Sequence, residues 1–291
     1  MKKIEIVIPT RNRLELLKEL LLELKYQTVP ITQIWVIGSS DNSIAKEVKV
    51  ISERIEYCHT TIKSAAIQRN IGLDQLSSDS DFVAFLDDDV RIPNDYLEVI
   101  ISDFEKYKKA VGVSGVTNSE ATVPKKKLQK IIKYIFLLES KNEGIVNRAG
   151  INIPVKRRDK GCIQSQWLLG CSVWDLKKVR HMRFETNLQG LSLGEDVIFS
   201  MKANKFGDLI VDTNVVFENK QSTIARPDEY TFWNMWSKNR KIILNQQPKG
   251  ISKILAYHWA NSGQALIIAV KKDIDSKAKI RSIRGLFKGS L

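Results

Sequence analysis

The chain has 291 residues, of which 43% are hydrophobic, enough for a sizeable core in one large domain or a domain with a smaller lobe. No run of eighteen apolar residues occurs, which excludes a spanning helix by sequence. The net charge of +13 is localised: residues 121–160 hold eleven Lys or Arg against three acids, residues 271–291 hold seven against two, and the rest sums to zero.

The opening, Met-Lys-Lys-Ile-Glu-Ile-Val-Ile-Pro, places an acid inside the apolar run and does not read as a secretory leader. Three cysteines (Cys58, Cys162, Cys171) without C-x-x-C spacing argue against a disulfide framework or zinc site and fit a reducing cytosol. The expected location is cytoplasmic.

Ile4–Ile8 reads as a buried strand ended by Pro9. Pro-Thr-Arg-Asn-Arg (9–13) then turns into a helix to about Tyr26, with Thr10 or Asn12 as N-cap candidates. Leu14, Leu17, Leu21 and Leu24 form its core stripe. Strands follow at Gln33–Ile37 and Ile55–Cys58, a helix at Ser64–Gln75, and a strand at Phe82–Leu86. Pro93-Asn94 opens a helix to about Tyr107, and Ala110–Val116 suits a fifth strand. This alternation implies an α/β fold with a mostly parallel, doubly wound sheet.

Three carboxylates, Asp87, Asp88 and Asp89, follow the 82–86 strand directly. A buried strand cannot carry three adjacent anions inward, so they belong where it leaves the core. In an open α/β sheet that end faces the ligand crevice. Hard oxygen ligands there suit Mg²⁺ or Mn²⁺. Alone, the three are equally consistent with a solvated acidic turn.

Beyond residue 120, Lys125–Leu138 reads as a basic amphipathic helix suited to an interface or to core packing. Gln166–Cys171 reads as a strand running into a close-approach glycine, Gly170. Gly194-Glu195-Asp196 opens a helix to about Ala203, and further helices span Asp228–Asn245 and Ile251–Val270.

Val-Ile-Pro-Thr-Arg-Asn-Arg, Arg69-Asn70-x-Gly72, Phe-Leu-Asp-Asp-Asp (85–89) and Gly-Glu-Asp (194–196), in that order, resemble the family 2 glycosyltransferases over about residues 3–245. The resemblance implies a GT-A fold, with a nucleotide-binding half at 1–120, an acceptor-binding half at 121–245 and a basic helical C-terminal extension at 246–291. It implies inverting, metal-dependent transfer of a sugar from a nucleoside diphosphate to a saccharide or lipid-linked saccharide acceptor, in envelope or exopolysaccharide assembly. By matching position, Pro9, Thr10 and Arg11 would line the base and ribose pocket. Asp87 and Asp88 would approach the donor, Asp89 with Asp87 would hold the metal, Arg69 would help hold the donor, and Arg240 would face its diphosphate. Trp167 and Gly170 would border the acceptor, and Asp196 with Glu195 would be the catalytic base pair.

One departure stands out. The second strand of that family ends in one or two aspartates, whereas here Ile37 runs into Gly38-Ser39-Ser40-Asp41: either two residues are missing, or Gly38 replaces the aspartate and Asp41 supplies the acid from further along. A sugar-activating nucleotidyltransferase would need a Gly-rich loop after the first strand, and a processive synthase would need spanning helices and a Gln-x-x-Arg-Trp motif. The strongest rival from another class is a non-enzymatic nucleic-acid binder, but the aromatics are not interleaved with the basic runs, so nucleic acid is not expected as a partner. The basic patches, residues 125–138 and the tail, are either a solvated face or, in the glycosyltransferase reading, a peripheral attachment to an anionic membrane surface.

Overall fold

The computed structural model describes residues 2–40, 42–118, 127–157, 161–188, 192–220, 227–271 and 275–290. In chain order the elements are β1 (Ile4–Thr10), α1 (Leu14–Leu24), β2 (Ile31–Gly38), α2 (Ala45–Lys49), β3 (Ile55–His59), α3 (Ala65–Gln75), β4 (Phe82–Phe85), β5 (Val90–Arg91), α4 (Tyr96–Lys106) and β6 (Ala110–Thr117). Then come α5 (Lys127–Ile135), β7 (Ile145–Val146), β8 (Asn152–Ile153), β9 (Cys162–Ser165), β10 (Ser172–Asp175), α6 (Leu176–Val179), α7 (Glu195–Ala203), β11 (Asp208–Asn219), α8 (Glu229–Asn245), α9 (Ile251–Val270) and α10 (Ser276–Ser290).

The chain groups into two compact units. The first, residues 1–121, 155–186 and 195–225, is built on a sheet of order β3-β2-β1-β4-β10-β6-β11-β5, with β9 also paired to β11. Its leading half, β3-β2-β1-β4, is parallel, as the strand–helix alternation predicts. Strand β10 enters antiparallel between β4 and β6, and β9 and β5 run antiparallel to β11, so the whole sheet is mixed.

Central β1 is buried along its full length, which its apolar run requires. Its one acid, Glu5, tolerates burial because Trp35 Nε1 donates to it at 2.7 Å, Ser77 N at 2.8 Å, and the Ser80 hydroxyl also donates. The α1 stripe buries Leu17, Leu20, Leu21 and Leu24 against the sheet. Its N-cap position is Arg13 with no side-chain cap; Asn12 turns the chain at φ 55°, and the Thr10 hydroxyl is used elsewhere. Gly72 lets α3 lie directly on β1, since a Cβ there would overlap the Val7 side chain.

Residues 166–171, expected as a strand, are instead the connection between β9 and β10. The Ser165 hydroxyl bonds both to the Trp167 carbonyl at 2.6 Å and to the Trp167 amide at 3.3 Å, which turns the chain out of β9. The following strand pairs with β4 and β6, not with the partner of β9, so the chain must change place here.

The second unit, residues 122–154, 187–194 and 226–291, carries the β7–β8 hairpin and helices α5, α8, α9 and α10. Gly285 and Gly289 bring α10 onto the backbone of α8, where a Cβ would strike the carbonyls of Tyr230 and Asn234. Among the described residues no helix is long and apolar enough to cross a membrane.

Candidate active site

Strand β4 ends opposite Val7, Leu86 N still donates to Val7 O at 3.2 Å, and the acids that follow reach the end of β1 and the β1–α1 turn. Asp88 is buried there. It accepts from Thr10 Oγ1 at 2.7 Å and from Arg13 Nη1 at 3.0 Å, and the same nitrogen reaches Asp89 Oδ2 at 3.1 Å. The middle aspartate therefore locks the loop, and Thr10 serves it instead of offering its hydroxyl to a ribose. Pro9 is buried within β1. Arg11 is partly buried, and its Nε has no hydrogen-bond partner among the described residues.

Arg69 was expected to face the donor. It is 1% exposed, and its two terminal nitrogens go to Asp87 Oδ1 at 2.5 Å and to Glu195. It is thus an internal clamp joining the end of β4 to the start of α7. Phe199, one turn after Glu195, fixes that helix start. Its ring stacks on Phe184 at 4.2 Å and meets Phe85 of β4 edge-on at 5.9 Å. Asp196 is partly buried beside this clamp, one oxygen accepting its neighbour's amide, Val197 N, at 2.8 Å.

Five carboxyl groups thus surround two guanidinium groups. Burial, then repulsion from Asp87 and Asp88, push the Asp89 carboxyl up to about 6 against the pull of Arg13. Burial raises Asp88 as well. Glu195 and Asp196 are both raised, chiefly by burial, with Arg69 opposing. Proton affinity raised in this way is what a general base requires.

Gly170 abuts the triad. A Cβ there would lie 2.5 Å from Asp87 Oδ2, so the close-approach glycine accommodates a carboxylate. Trp167 is buried, and Leu168 N donates to Ser200 Oγ of α7 at 3.0 Å, tying this connection to the helix that carries Glu195 and Asp196. Asp41 lies outside the described residues. A longer side chain at Gly38 would collide with the Tyr57 ring, so position 38 cannot take an aspartate with Tyr57 where it stands. Arg240 belongs to the second unit. Its guanidinium donates to Tyr257 O at 3.0 Å and Asn261 Oδ1 at 2.7 Å and lies between the rings of Trp236 and Tyr257, inside the α8–α9 packing.

Two contributors escaped the sequence reading. Arg13 lies in the quoted motif, but nothing in a single sequence distinguishes it from Arg11. Gln68 Nε2 bonds Thr10 O at 2.9 Å and Ile37 O at 2.5 Å, holding the ends of β1 and β2 together; only its place beside Arg69 hints at this.

The donor set fits a divalent cation on one observation: the carboxylates of Asp87, Asp88 and Asp89 follow one another at the end of β4, and Asp87 and Asp89 keep oxygens not used by Arg13 or Arg69. A second acidic group, Asp103, Cys162 and Asp212, has ligand atoms within 4.8 Å of one another. There Lys106 Nζ already pairs with Asp103 at 3.0 Å, and burial first, then the two acids, push the Cys162 thiol up to about 11.

Residues 5–161 match the family model described as glycosyl transferase family 2. Among characterised proteins, glycosyltransferase GlyA of Streptococcus pneumoniae serotype 4 is 30% identical over 115 residues, covering 38% of this chain and 16% of that protein. Among solved structures, S. aureus TarS superposes with a TM-score of 0.57 at 15% identity, over 99% of this chain and 48% of that one. TarS 1–349 in complex with UDP-GlcNAc superposes equally well at 16% identity, over 99% and 80%. The likeness to TarS is one of fold, the GT-A type. This chain spans about half the length of full TarS and a small part of GlyA.

Proposed function

Since the chain belongs to glycosyl transferase family 2, we propose that it moves a hexosyl group from a nucleoside-diphosphate sugar to a saccharide or lipid-linked saccharide hydroxyl, with inversion, in envelope polysaccharide assembly. The observation that carries this reading is the Arg69 clamp, which brings the acids after β4 and the acids opening α7 to one place.

In this reading Asp89 and Asp87 hold Mg²⁺ or Mn²⁺. Bound there, the cation would supply Lewis-acid neutralisation of the leaving diphosphate. Arg11, with its unpaired buried Nε, offers a hydrogen bond to the donor. Asp196 takes the acceptor proton as its oxygen attacks the anomeric carbon on the face opposite the diphosphate; its raised proton affinity suits that task. Glu195, already engaged by Arg69, orients the pair. Attack from the opposite face inverts the anomeric centre, and no covalent sugar–protein intermediate is required.

The complex of the TarS neighbour with UDP-GlcNAc supports a nucleotide-sugar donor. The test is a panel of UDP-, GDP- and dTDP-sugars, read as Mn²⁺-dependent thermal stabilisation and then as transfer. One nucleotide class should stabilise the protein by several degrees only with metal present; no stabilisation by any of them would remove the reading.

A further inference from the structure

Helices α5, α9 and α10, all in the second unit, hold nine Lys or Arg and no Asp or Glu. On α9 the inner face is buried through Ala256, Tyr257, Ala260 and Asn261. The outer face presents Ile251, Leu255 and Trp259 at successive turns, with Ile254 beside them. Ile251 is 76% exposed, Leu255 65% and Ile254 60%. Trp259 joins this stripe to α5, its Nε1 donating to Ile135 O at 2.8 Å and its ring stacked on Phe136 at 4.5 Å. Ile131 and Ile135 of α5 are exposed as well. The outward stripe of α10 mixes Lys277, Ile280, Arg284, Phe287 and Lys288.

Single exposed apolar residues are ordinary, but helical stripes of them set among cations, on helices that carry no acid of their own, are not. We propose that the outer face of α9, with the exposed residues of α5 and α10, docks on a bilayer carrying anionic lipids. The helices lie in the interface plane, with apolar side chains at the headgroup–acyl boundary and cations at the phosphates. A nucleic acid would satisfy the cations and leave Ile251, Ile254 and Leu255 in water. A second copy would set one acid-free basic face against another. The inference gives a physical site to the membrane-proximal acceptor proposed above and rests on that reading only for its biological sense, not for its chemistry.

Flotation with vesicles of phosphatidylcholine alone, or of equal parts phosphatidylcholine and phosphatidylglycerol, tests it. The full chain should float with the mixed vesicles and not with phosphatidylcholine alone. Ile254→Ser with Leu255→Ser, and separately Lys277→Glu with Lys288→Glu, should each weaken binding about tenfold or more. Melting temperature and transfer to a soluble acceptor should stay unchanged in both. No flotation on mixed vesicles at low salt, or undiminished flotation of the serine variant, would overturn the assignment. So would a concentration-dependent dimer lost in the serine variant, or duplex DNA displacing the vesicles and binding that variant equally. Flotation without sugar transfer from any donor would retain the docking face and remove the transferase reading instead.

Discussion

Asp87 and Glu195, from distant stretches of the chain, are joined by one buried guanidinium, that of Arg69. This ion triad makes the two acidic segments a single site. It has a large energetic consequence, because removing the shared cation leaves the buried Glu195 carboxylate without its partner and beside the charge of Asp87. Arg69→Ala should lower stability by about 3–5 kcal/mol, read from urea unfolding. Arg69→Lys should recover only part, since an ammonium lacks the planar fork that serves two acids at once. A change within error for Arg69→Ala would show that the triad does not hold the site together.

Two acidic groups are candidates for the proposed cation, and substitution separates them. Asp89→Asn should abolish Mn²⁺-dependent thermal stabilisation by the donor. Asp212→Asn should leave it intact, because in that group Lys106 already pairs with Asp103. The reverse pattern would move the metal to that second group.

The proton held by Asp89 gives a pH signature. Its carboxyl is raised to about 6 in the fold, against about 3.9 unfolded, so the native state binds the extra proton between these values. Stability from this group is therefore present below about pH 4 and lost as pH rises through about 6. Relative to Asp89→Asn, the metal-free protein should gain on the order of 2–3 kcal/mol on going from pH 7.5 to 4. Because a cation must displace that proton, Mn²⁺ affinity should fall in parallel below about pH 6. Calorimetric titration at several pH values would show it, and pH-independent Mn²⁺ affinity would exclude Asp89 as a ligand.

Asp196→Asn should cut kcat by about 10²–10⁴-fold, the range of a well-placed general base. Donor affinity by calorimetry should barely move. A large loss of donor affinity would assign Asp196 to binding and leave the base unidentified.

Strands β1 and β4, helix α1 and the position of the aspartates were readable because continuous apolar runs and a helical leucine stripe signal burial on two faces or one. The antiparallel entry of β10 was not readable. Its four residues, Ser172–Asp175, owe their place to partners in β4 and β6 that no local pattern reveals. Strand β11 was missed because Asp212-Thr213-Asn214 breaks its apolar alternation, and the pairing with β6 slips there. At the site, residue types were legible but pairings were not. Arg69 and Thr10 read as donor contacts, yet their partners are the protein's own acids, and an ion pair closed inside the fold has the same composition as an open one.

Gly170 gives the most direct test of where Asp87 acts. Its φ lies outside the left-handed region, so alanine meets no backbone penalty there. The nearest obstacle is the Asp87 carboxylate, 2.5 Å from the new Cβ, which must rotate or drag the 166–171 connection with it. Gly170→Ala should therefore keep its fold, with a loss of about 1–3 kcal/mol as for other overpacked sites. Mn²⁺-dependent donor stabilisation should fall by far more than stability does. Gly207→Ala supplies the control: its Cβ meets the Lys109 carbonyl where β6 and β11 begin, where none of the site's residues lies, so comparable destabilisation should leave the metal response unchanged. If Gly170→Ala and Gly207→Ala prove indistinguishable in Mn²⁺ titrations, Asp87 takes no part in holding the cation or the donor.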